Sequence, residues 1–452
     1  MENNFKIALK QILTAIDCLT VYRGVFEDGV PGQLKTVLRL TLNDERAAVE
    51  EYFSLIGNLL TLSKDDALND LDLYKNHFLD CLLEDENVFS LASEKEDLEE
   101  MSSVLVKAVE SDIRLLRKIY DLNMLELLSF LEDEHGLAGF IPGLDHLNGN
   151  GTFNPGYPQF YFKKKKYLKE RLAASGDWAE SLKDLHSYYR EVGSGCFGRY
   201  WAFKWREQRA KDGLVGVSNP DPIRLDDLVG YEDQKKEILR NTGQFVKGYS
   251  ANNMLLYGDR GTGKSSTIKS LVHLFGPEKL RMVEVSKHDL LSLSRIINEI
   301  EKRAQKFILF IDDLSFEDNE TQYKELKALL EGSIEKPPRN VLVYATSNRR
   351  NLVREFFNDR TADEVGKQDT YQEKLSLADR FGIKLVYSTP DQKAYLKTVK
   401  SMAEKSGIDL EEVKLYDLAL KWALWQNSRS GRTARQFIDD LKGRLDLSGL
   451  PE

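Results

Sequence analysis

The residues best suited to chemistry lie at positions 253–266, which read N-M-L-L-Y-G-D-R-G-T-G-K-S-S. Gly258, Gly263, Lys264 and Ser265 meet the pattern G-x-x-x-x-G-K-[ST], with Asp259, Arg260, Gly261 and Thr262 inside it and Ser266 following. A chain of phosphates is densely negative, and backbone N–H groups at a helix N-terminus offer it donors and a positive dipole without needing side chains. Glycines let the backbone wrap that closely. Lys264 would neutralise the β- and γ-phosphate oxygens, and the Ser265 hydroxyl would join the shell of a Mg²⁺ that otherwise keeps several waters. A glycine turn carrying a surface Lys-Ser pair is the plain alternative.

Flanking elements decide between the two. Residues 254–257 form a short apolar run readable as a buried strand, and Ile268, Leu271, Val272 and Phe275 then fall on one side of a helix. Further apolar runs at 281–285, 307–311, 341–345 and 384–387 alternate with helical or turn-rich segments. That rhythm predicts a parallel five-stranded α/β sheet with helices on both faces, its reactive groups at the C-terminal strand ends. Two of those ends carry suitable residues. F-I-L-F-I-D-D stops at Asp312, placed to serve the metal, and Asp313, placed to orient or deprotonate an attacking water; V-L-V-Y-A-T-S-N stops at Asn348, whose amide could hold that water or the γ-phosphate. Helix capping by the aspartates and turn formation by the asparagine are the structural alternatives. Upstream, Leu228, Val229 and Tyr231 surround Gly230 just before a helix, a turn able to wrap an adenine ring or simply to pack in the core.

A chain of 452 residues exceeds one ordinary core. The reading is a mainly helical N-terminal domain at 1–190, a Gly/aromatic linker at 191–222, the nucleotide domain at 223–389 and a helical lid at 390–452. Val104, Val106, Val109, Ile113, Leu116 and Ile119 show the helical spacing of the first part. An acidic region at 84–100 reads as a solvated face and loop, and 136–158, rich in Gly and Pro, as a long loop or junction. F-Y-F-K-K-K-K-Y at 160–167 could stack and attract single-stranded nucleic acid; the plainer expectation is a helix with aromatics inward and Lys163 to Lys166 in water. The aromatic block at 193–206 is expected to dock the N-terminal half onto the nucleotide domain.

Net charge is −9, which disfavours a nonspecific hold on nucleic acid through bulk charge. No apolar run approaches the roughly 20 residues of a membrane span. The start, M-E-N-N-F-K, lacks a signal core, so a cytoplasmic location is expected. Cys18, Cys81 and Cys196 read as reduced thiols, and the six histidines lack ligand spacing.

The order of the phosphate loop, the D-D strand, Asn348, L-A-D-R-F-G at 377–382 and S-G-R-T-A-R at 430–435 resembles the AAA+ ATPases. Y-G-D-R-G-T-G-K-S-S, F-I-D-D-L-S-F-E-D, Y-A-T-S-N-R-R and S-G-R-T-A-R-Q-F-I-D most resemble a bacterial AAA+ group catalogued as domain of unknown function 815, chiefly over residues 200–441. The resemblance implies ATP and Mg²⁺ as cofactors. It makes 258–265 the Walker A loop, Asp312 and Asp313 the Walker B pair, and Asn348 the sensor-one residue. Arg380 would be the arginine finger reaching a neighbouring subunit's γ-phosphate, and Arg432 or Arg435 sensor two.

It further implies a homo-oligomeric ring or spiral remodelling a protein or nucleic-acid target. Two departures stand out. Asp313 replaces the usual Glu, so Glu317 or Asp318 would assist or turnover would be slow. The segment 287–300 lacks the aromatic–hydrophobic–glycine loop of threading unfoldases. A nucleotide switch with little hydrolysis and a P-loop small-molecule kinase are the other readings.

Overall fold

The computed structural model describes residues 2–62, 72–135, 159–207, 213–315, 322–331, 338–348 and 377–448. The loop expected at 136–158, Glu317 and Asp318 lie outside them. The chain divides into two compact units, Met1–Tyr200 and Trp201–Glu452.

The first unit is helical because its apolar residues recur every third or fourth position. Helix Gly29–Asn43 buries Val30, Leu34, Val37, Leu38 and Thr41, and helix Ser103–Tyr120 buries Val109, Ile113, Leu116 and Ile119. Val104, expected on that inner face, is exposed. From the same helix the Asp112 carboxylate accepts the amides of Thr20, Val21 and Tyr22 at 3.0, 2.7 and 3.0 Å, fixing the turn after helix Glu2–Asp17.

Two charged stretches depart from expectation. F-Y-F-K-K-K-K-Y lies on helix Gln159–Ala174 with Tyr161 buried, but only part of its lysine run is in water. Lys165 is 4% exposed and pairs with Asp80 at 2.5 Å and Glu84 at 2.7 Å, and Lys169 one turn on reaches Asp80 and Asn76. Burial alone would push the Asp80 carboxyl up; the two ammonium groups outweigh it and hold it at about 2. In the acidic region, Glu94 is buried and accepts the Ser194 amide and hydroxyl, each at 2.8 Å.

In the second unit the strands are β1 Ala202–Arg206, β2 Gly213–Gly216, β3 Met254–Gly258, β4 Leu280–Glu284, β5 Lys306–Ile311, β6 Val341–Ser347 and β7 Ile383–Tyr387. They form one sheet in the order β2-β1-β4-β5-β6-β3-β7, parallel except for the β1–β2 pair. The five expected strands are β3 to β7. The two extra ones fall in the stretch expected as linker, where Phe203 and Trp205 face inward while Lys204 and Arg206 face out. That alternation is a strand's, and the register Ala202↔Met282 and Phe203↔Val283 seats it beside β4.

Helices Glu232–Val246 and Lys264–Phe275 pack onto Met254, Leu256, Ile308, Phe310 and Tyr344. A smaller bundle, helices Gln392–Lys405, Glu412–Trp425 and Gly431–Ser448, closes on Tyr395, Val399, Leu415, Ala419, Phe437 and Ile438. Its first helix is capped by Asp391, which accepts the Ala394 amide at 2.7 Å. Among the described residues no helix is long and apolar enough to cross a membrane.

Candidate functional site

β3 ends where the chain must turn sharply, and the turn is built from glycines for a steric reason. Gly258, Gly261 and Gly263 have φ of +135°, +75° and +91°. A Cβ on Gly258 would lie 2.1 Å from the Tyr387 carbonyl oxygen on β7, so no side chain fits. Helix Lys264–Phe275 starts directly after, its first N–H groups unpaired within the helix.

Lys264 is nearly buried and folds back onto its own loop, donating to the carbonyls of Gly258 at 2.9 Å and Asp259 at 2.6 Å and to Asn348 Oδ1 at 3.3 Å. Burial pushes its pKa down, against the pull of Asp259, Asp312 and Asp313. The next residue, Ser265, donates through Oγ to Asp312 Oδ1 at 2.6 Å.

Strand order explains why these tips meet. β6 lies between β3 and β5, so the loop after β3, the aspartates after β5 and Asn348 after β6 share one C-terminal edge. Asn348 Nδ2 donates to Asp313 Oδ1 at 2.6 Å. Asp313 itself adopts φ +50°, a left-handed conformation that Asp and Asn tolerate better than most residues.

A cleft of about 830 Å³ opens at this edge. The phosphate-loop residues Arg260, Gly261, Thr262, Gly263, Lys264, Ser265 and Ser266 line it together with Asp312, Asp313 and Asn348. Its other end has Leu228, Val229 and Gly230 on the sheet side and Ala394, Thr398 and Met402 on the bundle side, which suits a flat, largely apolar ring. Lys235 donates to the Leu228 carbonyl and so fixes that wall.

Arg432 and Arg435 both line the cleft, the Arg432 amide donating to the Gly261 carbonyl at 3.4 Å. Asp259 is turned elsewhere: its carboxylate accepts the Thr389 amide at 2.8 Å and hydroxyl at 2.6 Å. Arg380 sits in the turn before β7, its amide donating to Leu377, and is not part of the cleft wall.

Sequence reasoning missed Thr346, Lys235, Thr389 and the bundle-side wall. Only Thr346 left a signal: it sits at the C-terminal end of the run V-L-V-Y-A-T-S-N, two residues before Asn348, where reactive groups were expected.

Known proteins resemble parts of this chain. The replication factor C large subunit of Nanoarchaeum equitans is 32% identical over 98 residues, 21% of this chain and 23% of that protein. The chaperone protein ClpB of Bacteroides thetaiotaomicron is 28% identical over 109 residues, 20% of this chain and 12% of that protein. The chain thus spans less than a third of these relatives. Among solved structures, the RuvB Holliday junction branch migration motor of Thermotoga maritima aligns at TM-score 0.36 and 18% identity, over 50% of this chain and 66% of that one. The family model described as Protein of unknown function (DUF815) matches residues 198–445, more than half of the chain. The chain belongs to that family, whose matched region here is an AAA+ α/β core with its helical lid.

Proposed function

We propose that this protein binds ATP with Mg²⁺ in the cleft, hydrolyses it, and couples nucleotide state to the remodelling of a macromolecular target. The observation that carries the reading is the contact between Ser265 Oγ and Asp312 Oδ1 at 2.6 Å, beside the helix N-terminus that opens with Lys264. A hydroxyl and a carboxylate side by side are the hard oxygen donors a Mg²⁺ takes when phosphates and water complete its shell. Held by Ser265 and Asp312, the cation would offset the negative charge that builds up on the terminal phosphates. Lys264 would leave the loop carbonyls for phosphate oxygens, Asn348 and Asp313 would position the attacking water, and Arg432 or Arg435 would hold the γ-phosphate from the lid.

Arg380, outside the cleft of its own chain, suits a role toward a second copy in a ring or spiral. The helical unit before Trp201 would then select the target, in the cytoplasm. Phosphate release by purified protein tests the reading against Lys264→Ala and Asp313→Asn: activity well above both variants is expected, and equal background from all three would overturn hydrolysis. One observation favours a second reading. The short Asp313 side chain is already engaged by Asn348, which suits a nucleotide switch that hydrolyses slowly. Nucleotide binding without phosphate release would select it.

A further inference from the structure

Thr346 joins the two aspartates. It is 1% exposed, on β6, and its hydroxyl sits between the groups proposed above for metal and for water. Its Oγ1 donates to Asp312 Oδ1 at 2.5 Å and accepts the Asp313 amide at 2.9 Å, while its carbonyl accepts the Leu314 amide at 2.7 Å. One hydroxyl has one hydrogen to give and lone pairs to receive, so both contacts coexist. The Asp313 amide also reaches Asp312 Oδ1, at 3.1 Å. Asp312 Oδ1 therefore takes three donors: Ser265 Oγ, Thr346 Oγ1 and the Asp313 amide. Among the described residues its Oδ2 takes none, and the side chain is exposed to the cleft.

We infer that Thr346 is a positioning residue for the metal side of the site, locking the Asp312 carboxylate so that one oxygen holds Ser265 in place and the other faces the cation's water shell. The inference rests on the nucleotide reading above. It adds that the geometry needs a donor from β6 which neither Ser265 nor the backbone replaces. Without the Thr346 hydroxyl, Asp312 Oδ1 keeps only the Ser265 hydroxyl and the Asp313 amide and loses its one donor from β6, and the left-handed turn at Asp313 loses an anchor for its amide. Asn348, two residues on and just past the end of β6, holds the Asp313 carboxylate from the other side, so β6 and the residue that follows it position both aspartates.

The test is calorimetric titration of ATP, with excess Mg²⁺ and separately with a chelator, into the full chain and into Thr346→Val and Thr346→Ser. Valine keeps the shape and removes the donor; serine restores the donor. Wild type and Thr346→Val are expected to bind metal-free ATP alike. The gain in affinity on adding Mg²⁺ should fall about tenfold in Thr346→Val, as the loss of a hydrogen bond to a charged group implies, and return in Thr346→Ser. A role in packing alone would instead weaken both titrations together. An unchanged Mg²⁺ gain in Thr346→Val, or a loss that Thr346→Ser fails to rescue, overturns this inference and leaves the proposed function standing. Absence of ATP binding by the wild type overturns both.

Discussion

The Asp259 carboxylate, inside the phosphate loop, accepts the amide and hydroxyl of Thr389, at 2.8 and 2.6 Å, where β7 passes into the lid. Loop and lid junction are therefore tied by a residue that does not itself line the cleft. Tyr231 adds a parallel tie, its hydroxyl donating to the Ser388 carbonyl at 2.6 Å. Asp259→Ala is expected to loosen the junction without unfolding the sheet. Amide exchange at 388–398 should accelerate by about tenfold or less, and nucleotide affinity should fall several-fold. The contact should be insensitive to pH over the neutral range. Hydrogen bonds from Thr389 hold the Asp259 carboxyl below its ordinary value. Its stabilisation is thus complete above the unfolded value, near 4, and is lost only as pH falls through the lower folded value. Protection factors at 388–398, taken relative to the intrinsic base-catalysed rate, that change between about pH 6 and 8 would contradict this assignment.

Lys264 gives the opposite sign. Burial pushes its ammonium pKa down in the free protein, and a bound polyphosphate adds negative charge that raises it. Between the two values binding takes up a proton, so affinity falls as pH rises through the free-protein value; below both it is flat. Calorimetry at alkaline pH below the ordinary lysine range, in buffers of different ionisation heat, should show net proton uptake on binding. Lys264→Arg, whose guanidinium stays charged, should bind without that uptake.

Lys165→Met should separate the two units energetically. Removing one ammonium from between Asp80 and Glu84 leaves a buried carboxylate cluster short of charge, a change that typically costs about 3 kcal/mol. The first unit's melting transition should drop while ATP binding by the second stays unchanged. A melting temperature equal to wild type would show that Lys169 and Arg199, which also reach the cluster, suffice.

What could be read directly from the residues was what is local along the chain. The loop pattern, the apolar runs of β3 to β7 and the helical spacing of the lid each fit within a short window, and there local sterics and burial set the outcome. What escaped depends on partners far away. Asp259 meets a residue 130 positions on, Lys165 finds acids some 80 positions back, and Thr346 bonds a carboxylate 34 positions earlier. Nothing in the spacing of those residues marks the pairing. β1 was hidden differently: a cluster of aromatics drew attention to composition, when the alternation of Phe203 and Trp205 with Lys204 and Arg206 was the physical signal.

Gly258→Ala tests whether the loop's shape is imposed by the neighbouring strand. The added Cβ meets the Tyr387 carbonyl oxygen at 2.1 Å, and φ of +135° is close to glycine-only space. Backbone strain alone is worth about 1–3 kcal/mol. A melting shift of the second unit, with loss of nucleotide binding, is expected. Gly230→Ala, also at positive φ but with open space around its Cβ, should cost less.

The short acid at position 313 is matched to its turn. At φ +50° a residue is less strained if its side chain is Asp or Asn, and there the Asp313 carboxylate already reaches Asn348 Nδ2 at 2.6 Å. Lengthening it by one methylene moves the carboxylate past that donor and adds strain to the turn. Asp313→Glu is therefore expected to lower the melting temperature slightly and to give no increase in phosphate release. Asp313→Asn should keep the fold and the Asn348 contact while losing release, because an amide cannot take the water's proton. Side-by-side turnover and melting of the two variants settle the point. A tenfold faster Asp313→Glu enzyme would mean that side-chain reach, not the backbone turn, limits the reaction.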